Sequence, residues 1–415
     1  MILLGRQLVN CRICKGSIFI SIINFGQISL TGIFIEDGKK VPTASLELVR
    51  CENCGLTQLN NSYDVNLLYG EGYGYESNLN SSMREHLINK AQLLEYKYLK
   101  GKEDCIIVDI ASNDGTLLSG YMNLNLQYVG IDPLANTLND FYPKNAIKIS
   151  EFFSEKIYSE KISKRAALVT SLSVIYDLED PLKFAKDVWT ILDENGIWHF
   201  EQSYLPTMVA TNGFDTICHE HLLYLTLKDI KTILGSAGFQ ILDASLNDIN
   251  GGSIAITAIK SLTKQIADPF VTFLTEKEVS DGFSDSSALE LFSKRIAKYK
   301  VELSKLLQDY KFEGYEIVGL GASTKGNVLL QFCGIDANLV TRIGDINPKK
   351  YGKRTPGSNI EIVPEDEIFN KAHNKMLAMV LPWHFRIGIT KKSYKFLGMG
   401  ARMLFPLPNI EIVSN

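Results

Sequence analysis

Two stretches of this chain, CIIVDIASNDGTLL at 105–118 and YEIVGLGASTKGNVLLQ at 315–331, each run from an unbroken apolar segment through a turn of small or polar residues into a helical pattern. An apolar run without alternation is a strand buried on both faces, and such a strand followed by a tight turn and a helix opens a parallel sheet covered by helices. This opening occurs twice, and 415 residues are too many for one hydrophobic core, so two α/β units within a multidomain chain are expected.

In the first unit, from 104 to about 260, strand and helix patterns alternate. QYVGIDP closes a second strand on Asp132 and Pro133; AALVTSLSVIYDLEDP and GIWHFEQSY read as the fourth and fifth strands, and ILDASLNDINGGSIAITAIK as a final hairpin turning at NGG. The first strand ends at Asp109, and the small or polar residues after it let backbone approach a ligand at the carboxyl edge of the sheet. Asp132, 17 residues beyond Gly115, is placed to accept hydrogen bonds from two ribose hydroxyls. A dinucleotide site uses GxGxxG to seat a pyrophosphate on a helix N-terminus, whereas here Ala111 and Asn113 hold the first two glycine positions. The pattern suits S-adenosylmethionine better than NAD.

The second unit has Gly319 and Gly321 at its first turn and Asp345 at the end of its second strand, and continues through MLAMVLPWHF and RMLFPLP. GLGASTKG fails as a phosphate loop, because Gly326 is followed by Asn327 rather than Lys. Three readings stand for it: contact with a sugar nucleotide, an empty Rossmann turn, or a dinucleotide site.

Ahead of both units, CRIC supplies Cys11 and Cys14, and CENCG supplies Cys51 and Cys54. Each CxxC turn puts two thiolates on one side of a tight loop, and together they form a tetrahedral sulfur shell for zinc. Four sulfur ligands leave no place for water, so the zinc is expected to be structural; unrelated free thiols are the alternative. Seven cysteines, an odd number, also argue for reduced thiols rather than disulfides. The 36 residues between the pairs are expected to fold back as strands at ISIINFG and LELVR.

Residues 67–99 begin as a loop rich in Gly, Tyr, Ser and Asn and end with helical spacing at Leu87, Ala91, Leu94 and Tyr98. The aromatic loop reads either as a substrate contact or as a surface linker. Within 286–308, Leu289, Phe292, Ile296, Tyr299, Leu303 and Leu306 form one stripe of a long helix joining domains. The expected units are therefore 1–68, 69–282, the helix 283–310, and 311–415.

The stretch DTICHEHLLYLT, 215–226, sets His219, Glu220 and His221 in a row. Metalloproteases space two histidines as HExxH on one helical face; HEH has the wrong spacing and no evident third ligand. In an extended segment His219 and His221 would face one way and Glu220 the other. The readings left are a proton-transfer base, for which imidazole is suited near neutral pH, and a satisfied polar loop.

The two CxxC pairs, DIASNDGTLL, FEQSYLPTM, TICHEHLLYLT, GLGASTKGN and DINPKKYGKRTPGSNIEI, in this order, resemble the sugar C-methyltransferases of deoxysugar pathways, and the resemblance spans essentially the whole chain. It implies an α/β protein with a small N-terminal zinc domain, a class I methyltransferase Rossmann-like domain and a C-terminal Rossmann-like domain. It further implies methyl transfer to carbon, usually C3, of a nucleotide-linked 4-keto-6-deoxyhexose through an enolate. By position, His221 matches the general base, with Glu220 and His219 orienting it or touching the sugar. Tyr73 and Tyr75 fall where a tyrosine approaches the sugar, and Asp109, Ala111, Ser112, Asn113, Gly115, Asp132 and Pro133 fall on cofactor positions. Three positions depart from the pattern: Cys218 replaces a tyrosine before HEH, Asp177 replaces a histidine after the fourth strand, and Ala111 replaces a glycine.

Other classes remain as alternatives: O-methylation of a sugar or small molecule, a zinc-ribbon nucleic-acid binder, and a two-Rossmann oxidoreductase. A net charge of −4 and the lack of a Lys/Arg strip beside the cysteines argue against nucleic acid. No run of about 18 apolar residues suggests a membrane span. A cytoplasmic protein, monomeric or weakly self-associating, with neither nucleic-acid nor membrane partners, is expected.

Overall fold

The computed structural model describes residues 5–69, 75–123, 125–261 and 268–415. Ile106–Ile110, the strand that opens the first α/β unit, lies inside a seven-stranded sheet. Across that sheet run Phe239–Asn247, Ser253–Lys260, Leu192–Ser203, Ala166–Leu172, Ile106–Ile110, Gln127–Ile131 and Ile147–Ile149. From Leu192–Ser203 onward the pairings are parallel, while Ser253–Lys260 is antiparallel to both neighbours. This is the mostly parallel, doubly wound sheet expected from the sequence. The chain leaves Ile106–Ile110 toward one edge and returns through Ala166–Leu172 toward the other, so the crevice between their carboxyl ends is where such a sheet takes a ligand.

The helix expected directly after Ile106–Ile110 does not form; one 3-10 turn, Leu118–Gly120, stands in its place. Asp114 Oδ1 accepts the Thr116 amide and hydroxyl at 3.1 and 2.6 Å, and its Oδ2 accepts the Asn78 amide at 2.9 Å. That face of the sheet is instead covered by helix Ser81–Leu94, whose Met83, Leu87, Ala91 and Leu94 pack on Ile107, Leu117 and Leu118. Gly120 lies so close to it that a Cβ would meet Ala91 at 2.8 Å.

The second unit is a six-stranded sheet ordered Glu361–Pro364, Arg342–Asp345, Glu316–Leu320, Met376–Val380, Arg402–Phe405 and Glu411–Val413, parallel except for the last strand. Helix Ser287–Phe312 leads into it, burying Leu289, Phe292, Ile296, Tyr299, Leu303 and Leu307. Leu307 takes the buried position expected for Leu306, which is only partly covered, because a step of four rather than three follows Leu303.

The N-terminal unit is an antiparallel sheet of Phe19–Ser29, Thr43–Cys51 and Thr57–Leu59, the first two strands coinciding with ISIINFG and LELVR. Its fourth strand is Leu223–Tyr224, which follows HEH in the chain. The N-terminal unit also grips the C-terminal one: Asn327 Nδ2 donates to Thr31 O at 2.7 Å, and the Ser29 amide donates to Gln331 Oε1 at 2.8 Å. The HEH turn is therefore seated where all three units meet.

Candidate active site

Where Ile106–Ile110 ends, the backbone turns left-handed at Ala111 (φ 58°), Asn113 (φ 48°) and Gly115 (φ 83°). Two of these carry side chains, so hydrogen bonds must hold the turn: Ala111 N–H donates to Ile131 O at 2.7 Å and Asn113 N–H to Asp132 Oδ2 at 3.0 Å. At Gly115 a Cβ would sit 2.6 Å from the Tyr142 ring. Asp132 Oδ1 accepts Leu134 N–H at 2.7 Å, so both carboxylate oxygens are fixed; burial raises its pKa.

Asp109, Ala111, Ser112, Asn113, Asp132 and Pro133 line one cleft, as the sequence reading requires of a cofactor site. Gly115 does not line it; it lies behind the turn, under Tyr142. Asp109 accepts the Thr170 hydroxyl at 2.7 Å, and burial pushes its pKa up to about 7. A fixed carboxylate at the end of the second strand fits a ribose diol, and Leu134 and Phe153 give the cleft apolar walls that suit an adenine ring. Sequence reasoning missed Phe153, and also His86 and Glu201 in the same cleft. Glu201 is held by His86 Nε2 at 2.7 Å, Lys90 Nζ at 2.8 Å and Asn247 Nδ2 at 3.0 Å. Burial would raise its pKa, but His86 and Lys90 outweigh burial and hold it at about 2. His86 and Lys90 stand four apart on a helix, and only the tertiary fold brings Glu201 to them.

The HEH segment is a turn, not an extended strand: His221 N–H donates to Cys218 O at 3.2 Å. His219 and His221 therefore do not face the same way, contrary to the extended expectation. His219 is fully buried against the N-terminal unit, its ring 4.9 Å from that of Tyr63, and does not reach the cleft. Glu220 also turns to the N-terminal unit, with the Thr31 hydroxyl 3.5 Å from Oε2 and Gly32 leaving room for Oε1. Burial raises its carboxyl pKa. These two side chains anchor the turn against the N-terminal unit.

His221 alone of the three stays partly exposed. Its Nδ1 is 2.8 Å from Thr216 O; a carbonyl only accepts, so Nδ1 carries the proton and Nε2 keeps its lone pair. The ring packs on Tyr176 at 4.3 Å. Burial first, and then the nearby Lys325 ammonium, lower its pKa to about 3, so the imidazole is neutral at neutral pH.

Tyr75 lines the cofactor cleft, and its carbonyl accepts Asn113 Nδ2 at 3.2 Å; Tyr73 lies outside the described residues. Tyr69, in the same cleft, donates to Glu220 O at 3.2 Å and so ties the cleft wall to the HEH turn. Asp177 lines the cleft too, its pKa raised by burial. Cys218 is fully buried, so this position does not line the cleft.

At the N-terminus, Cys11 Sγ lies 3.6 Å from Cys54 Sγ, Cys14 Sγ lies 3.6 Å from Cys51 Sγ, and all four sulfurs fall within 4.8 Å of one another. Zn–S bonds of about 2.3 Å in a tetrahedron place sulfurs about 3.8 Å apart, so the four thiols fit one zinc.

Three family models match the chain in order: a zinc binding domain over 11–69, a methyltransferase domain over 81–244, and a C-methyltransferase C-terminal domain over 248–408. The C-methyltransferase NovU of Streptomyces niveus is 26% identical over 415 residues, covering 99% of this chain and 98% of NovU. Among solved structures, magnesium protoporphyrin IX methyltransferase (ChlM) of Synechocystis PCC 6803 with bound S-adenosylmethionine overlaps 43% of this chain and 79% of its own, at 12% identity and a TM-score of 0.30. The 1,6-didemethyltoxoflavin-N1-methyltransferase of Burkholderia thailandensis overlaps 42% of this chain and 79% of its own, at 12% identity and a TM-score of 0.31. No described helix is long and apolar enough to cross a membrane.

Proposed function

Because this chain belongs to the C-methyltransferase family, uses S-adenosylmethionine and carries a structural zinc site, we propose that it methylates carbon, at C3, of a nucleotide-linked 4-keto-6-deoxyhexose with His221 as the base. The observation that carries this reading is His221 itself: its Nδ1–H is committed to Thr216 O, which leaves a neutral Nε2 lone pair on a partly exposed ring at the three-unit junction. The motif resemblance supplies the substrate class. The units 1–68, 69–282 and 311–415, joined by the helix 283–310, divide the work: zinc scaffold, cofactor and base, and nucleotide-sugar contact through the Gly321 turn.

The cofactor supplies a methyl group activated on sulfonium, which leaves positioning and proton handling to the protein. Asp132 would hold the ribose hydroxyls, and Asp109, Ser112 and Asn113 would shape the site around the rest. A C4 ketone acidifies the C3–H bond. His221 Nε2 would take that proton, leaving the C–H electron pair as the enolate; a bound methyl donor would supply the methyl carbon to C3, its methyl–sulfur bond breaking with the pair going to sulfur as the ketone re-forms. An imidazole with a pKa of about 3 is a weak base toward bulk solvent; a developing enolate beside it is the charge that stabilises its protonated form.

Incubation with methyl-labelled S-adenosylmethionine and a panel of thymidine-, cytidine- and guanosine-diphosphate 4-keto-6-deoxyhexoses should yield a product with a new carbon-bound methyl. Label found only on a hydroxyl or on RNA would overturn the proposal. O-methylation is further separated by solvent deuterium: enolate chemistry washes it into the ring carbon without methyl donor, and hydroxyl chemistry does not.

Asp132→Ala removes a carboxylate assigned to two charge-assisted hydrogen bonds, so S-adenosylhomocysteine binding by calorimetry should weaken by about 3 kcal/mol, roughly 100-fold. Unchanged affinity would move the ribose elsewhere. Asp132→Asn is the poorer probe, since one amide N–H would face the Asn113 or Leu134 amide that now donates to it.

A further inference from the structure

Lys325 lies in the first turn of helix Thr324–Cys333, in the C-terminal unit, and reaches across to the central unit, where its Nζ donates to Asn250 O at 2.7 Å. Asn250 sits in the hairpin turn between Phe239–Asn247 and Ser253–Lys260 and lines the cofactor cleft, so the ammonium is tethered at the edge of that cleft; its helix also packs on the Phe214–Thr216 turn, whose Thr216 O holds His221, and its charge acts on that imidazole. Among the described residues no carboxylate lies within ion-pair distance of the ammonium. Asp215, the carboxylate whose charge acts on it, is fully buried and spends Oδ2 on the Trp383 indole N–H at 2.8 Å, while Asp215 Oδ1 and His384 Nδ1 have no hydrogen-bond partner. A half-buried cation with one neutral acceptor and unfilled polar groups around it is an incomplete arrangement. An anion arriving next to it would complete that arrangement.

We infer that Lys325 is a catalytic residue that donates a hydrogen bond to the C4 oxygen as it becomes an enolate, opposite His221, which removes the C3 proton. This rests on the ketosugar reading above. In the step, the C3–H bond breaks, the proton goes to His221 Nε2, and the electron pair forms the C3–C4 double bond while charge moves onto the C4 oxygen. Lys325 keeps its proton and stabilises that charge. C3 then bonds to the methyl carbon, the methyl–sulfur bond breaks with its pair going to sulfur, and the ketone re-forms. The two groups come from different units, so base and electrophile are assembled only when the C-terminal unit docks. Lys325 disfavours a protonated His221 when the site is empty, and the enolate between them reverses that by attracting both.

The test follows solvent deuterium at C3 of the same diphosphate 4-keto-6-deoxyhexoses by NMR, without methyl donor, in the full chain and in Lys325→Met, Lys325→Arg and Lys325→Gln. The expected result is a fall of about 10²–10³ in the saturating exchange rate for Lys325→Met, with S-adenosylhomocysteine affinity unchanged and part of the rate restored by Lys325→Arg. If Lys325→Met does not fold, Lys325→Gln carries the test, since it keeps length and an N–H donor but no charge and should still lose at least about tenfold. Wild-type exchange rates in the Met or Gln variant would overturn the inference, as would a raised KM with an unchanged saturating rate, which marks a diphosphate contact instead. Failure of the wild-type protein to exchange any ketosugar would overturn the underlying substrate reading, a result separate from the behaviour of the variants.

Discussion

His221→Ala is expected to lower methyl transfer to a ketosugar by about 10²–10⁴, the range a positioned general base supplies, while S-adenosylmethionine still binds. The separation is possible because His221 lies outside the cofactor cleft, on a turn whose own hydrogen bonds, His221 N–H to Cys218 O and Leu59 N–H to Leu222 O, are made by backbone and survive truncation of the ring. Solvent exchange at C3 should fall with turnover, since both need the same proton removed. The lowered pKa also fixes a pH dependence. A group whose pKa is depressed to about 3 stays in its neutral, base form down to that value. The free-enzyme kcat/KM profile should therefore show no acid limb near 6.5 from this imidazole between pH 7.5 and 5.5. Turnover of His221→Ala within a few fold of wild type would remove His221 from the mechanism.

Stripping zinc is expected to have the second largest effect: loss of turnover with the methyltransferase domain still folded. Structural Zn²⁺ contributes about 10–16 kcal/mol in zinc-finger peptides, as much as the whole stability of a typical domain, about 5–15 kcal/mol. Cys51 ends strand Thr43–Cys51, which pairs with Thr57–Leu59, which in turn pairs with Leu223–Tyr224 just beyond His221. Releasing the metal frees that edge and with it the seat of the HEH turn, although the cofactor turn at Ala111–Gly115 is built on a different sheet. Elemental analysis should find one zinc per chain. Chelation, or Cys51→Ser, should abolish methyl transfer and leave S-adenosylhomocysteine binding within a few fold. Full activity in zinc-free protein would show that the N-terminal unit holds the turn without its metal.

The two predictions draw on features of unequal legibility. The cysteine pairs could be read directly, because a tetrahedral sulfur shell needs only two CxxC turns brought together, and the structure places their sulfurs 3.6 Å apart in pairs. The turn after Ile106–Ile110 rests on local signals, a buried strand, an acidic end and small residues, and six of the seven residues assigned to the cofactor lie along one cleft. Gly115 lies under Tyr142 rather than along the cleft, because local sequence does not say whether a glycine admits a ligand or an aromatic ring. The helix after Ile106–Ile110 was misread for a similar reason: helix Ser81–Leu94, from earlier in the chain, already occupies that face.

The HEH motif shows where such reading ends. Alternation along a strand put the two histidines together, but the segment turns, because Leu223–Tyr224 must pair with the N-terminal sheet and Leu222 O must reach Leu59 N–H at 2.9 Å. That turn sends His219 and Glu220 to the scaffold and leaves His221 facing Tyr176. By itself the sequence determined the three-unit order, the zinc ligands, the strand pattern and the cofactor type, all of which follow from spacings within short segments. Only the tertiary structure decided which histidine keeps a partly exposed ring and where Lys325 reaches, because each depends on contacts between segments far apart in the chain, such as Lys325 to Asn250 and Leu59 to Leu222.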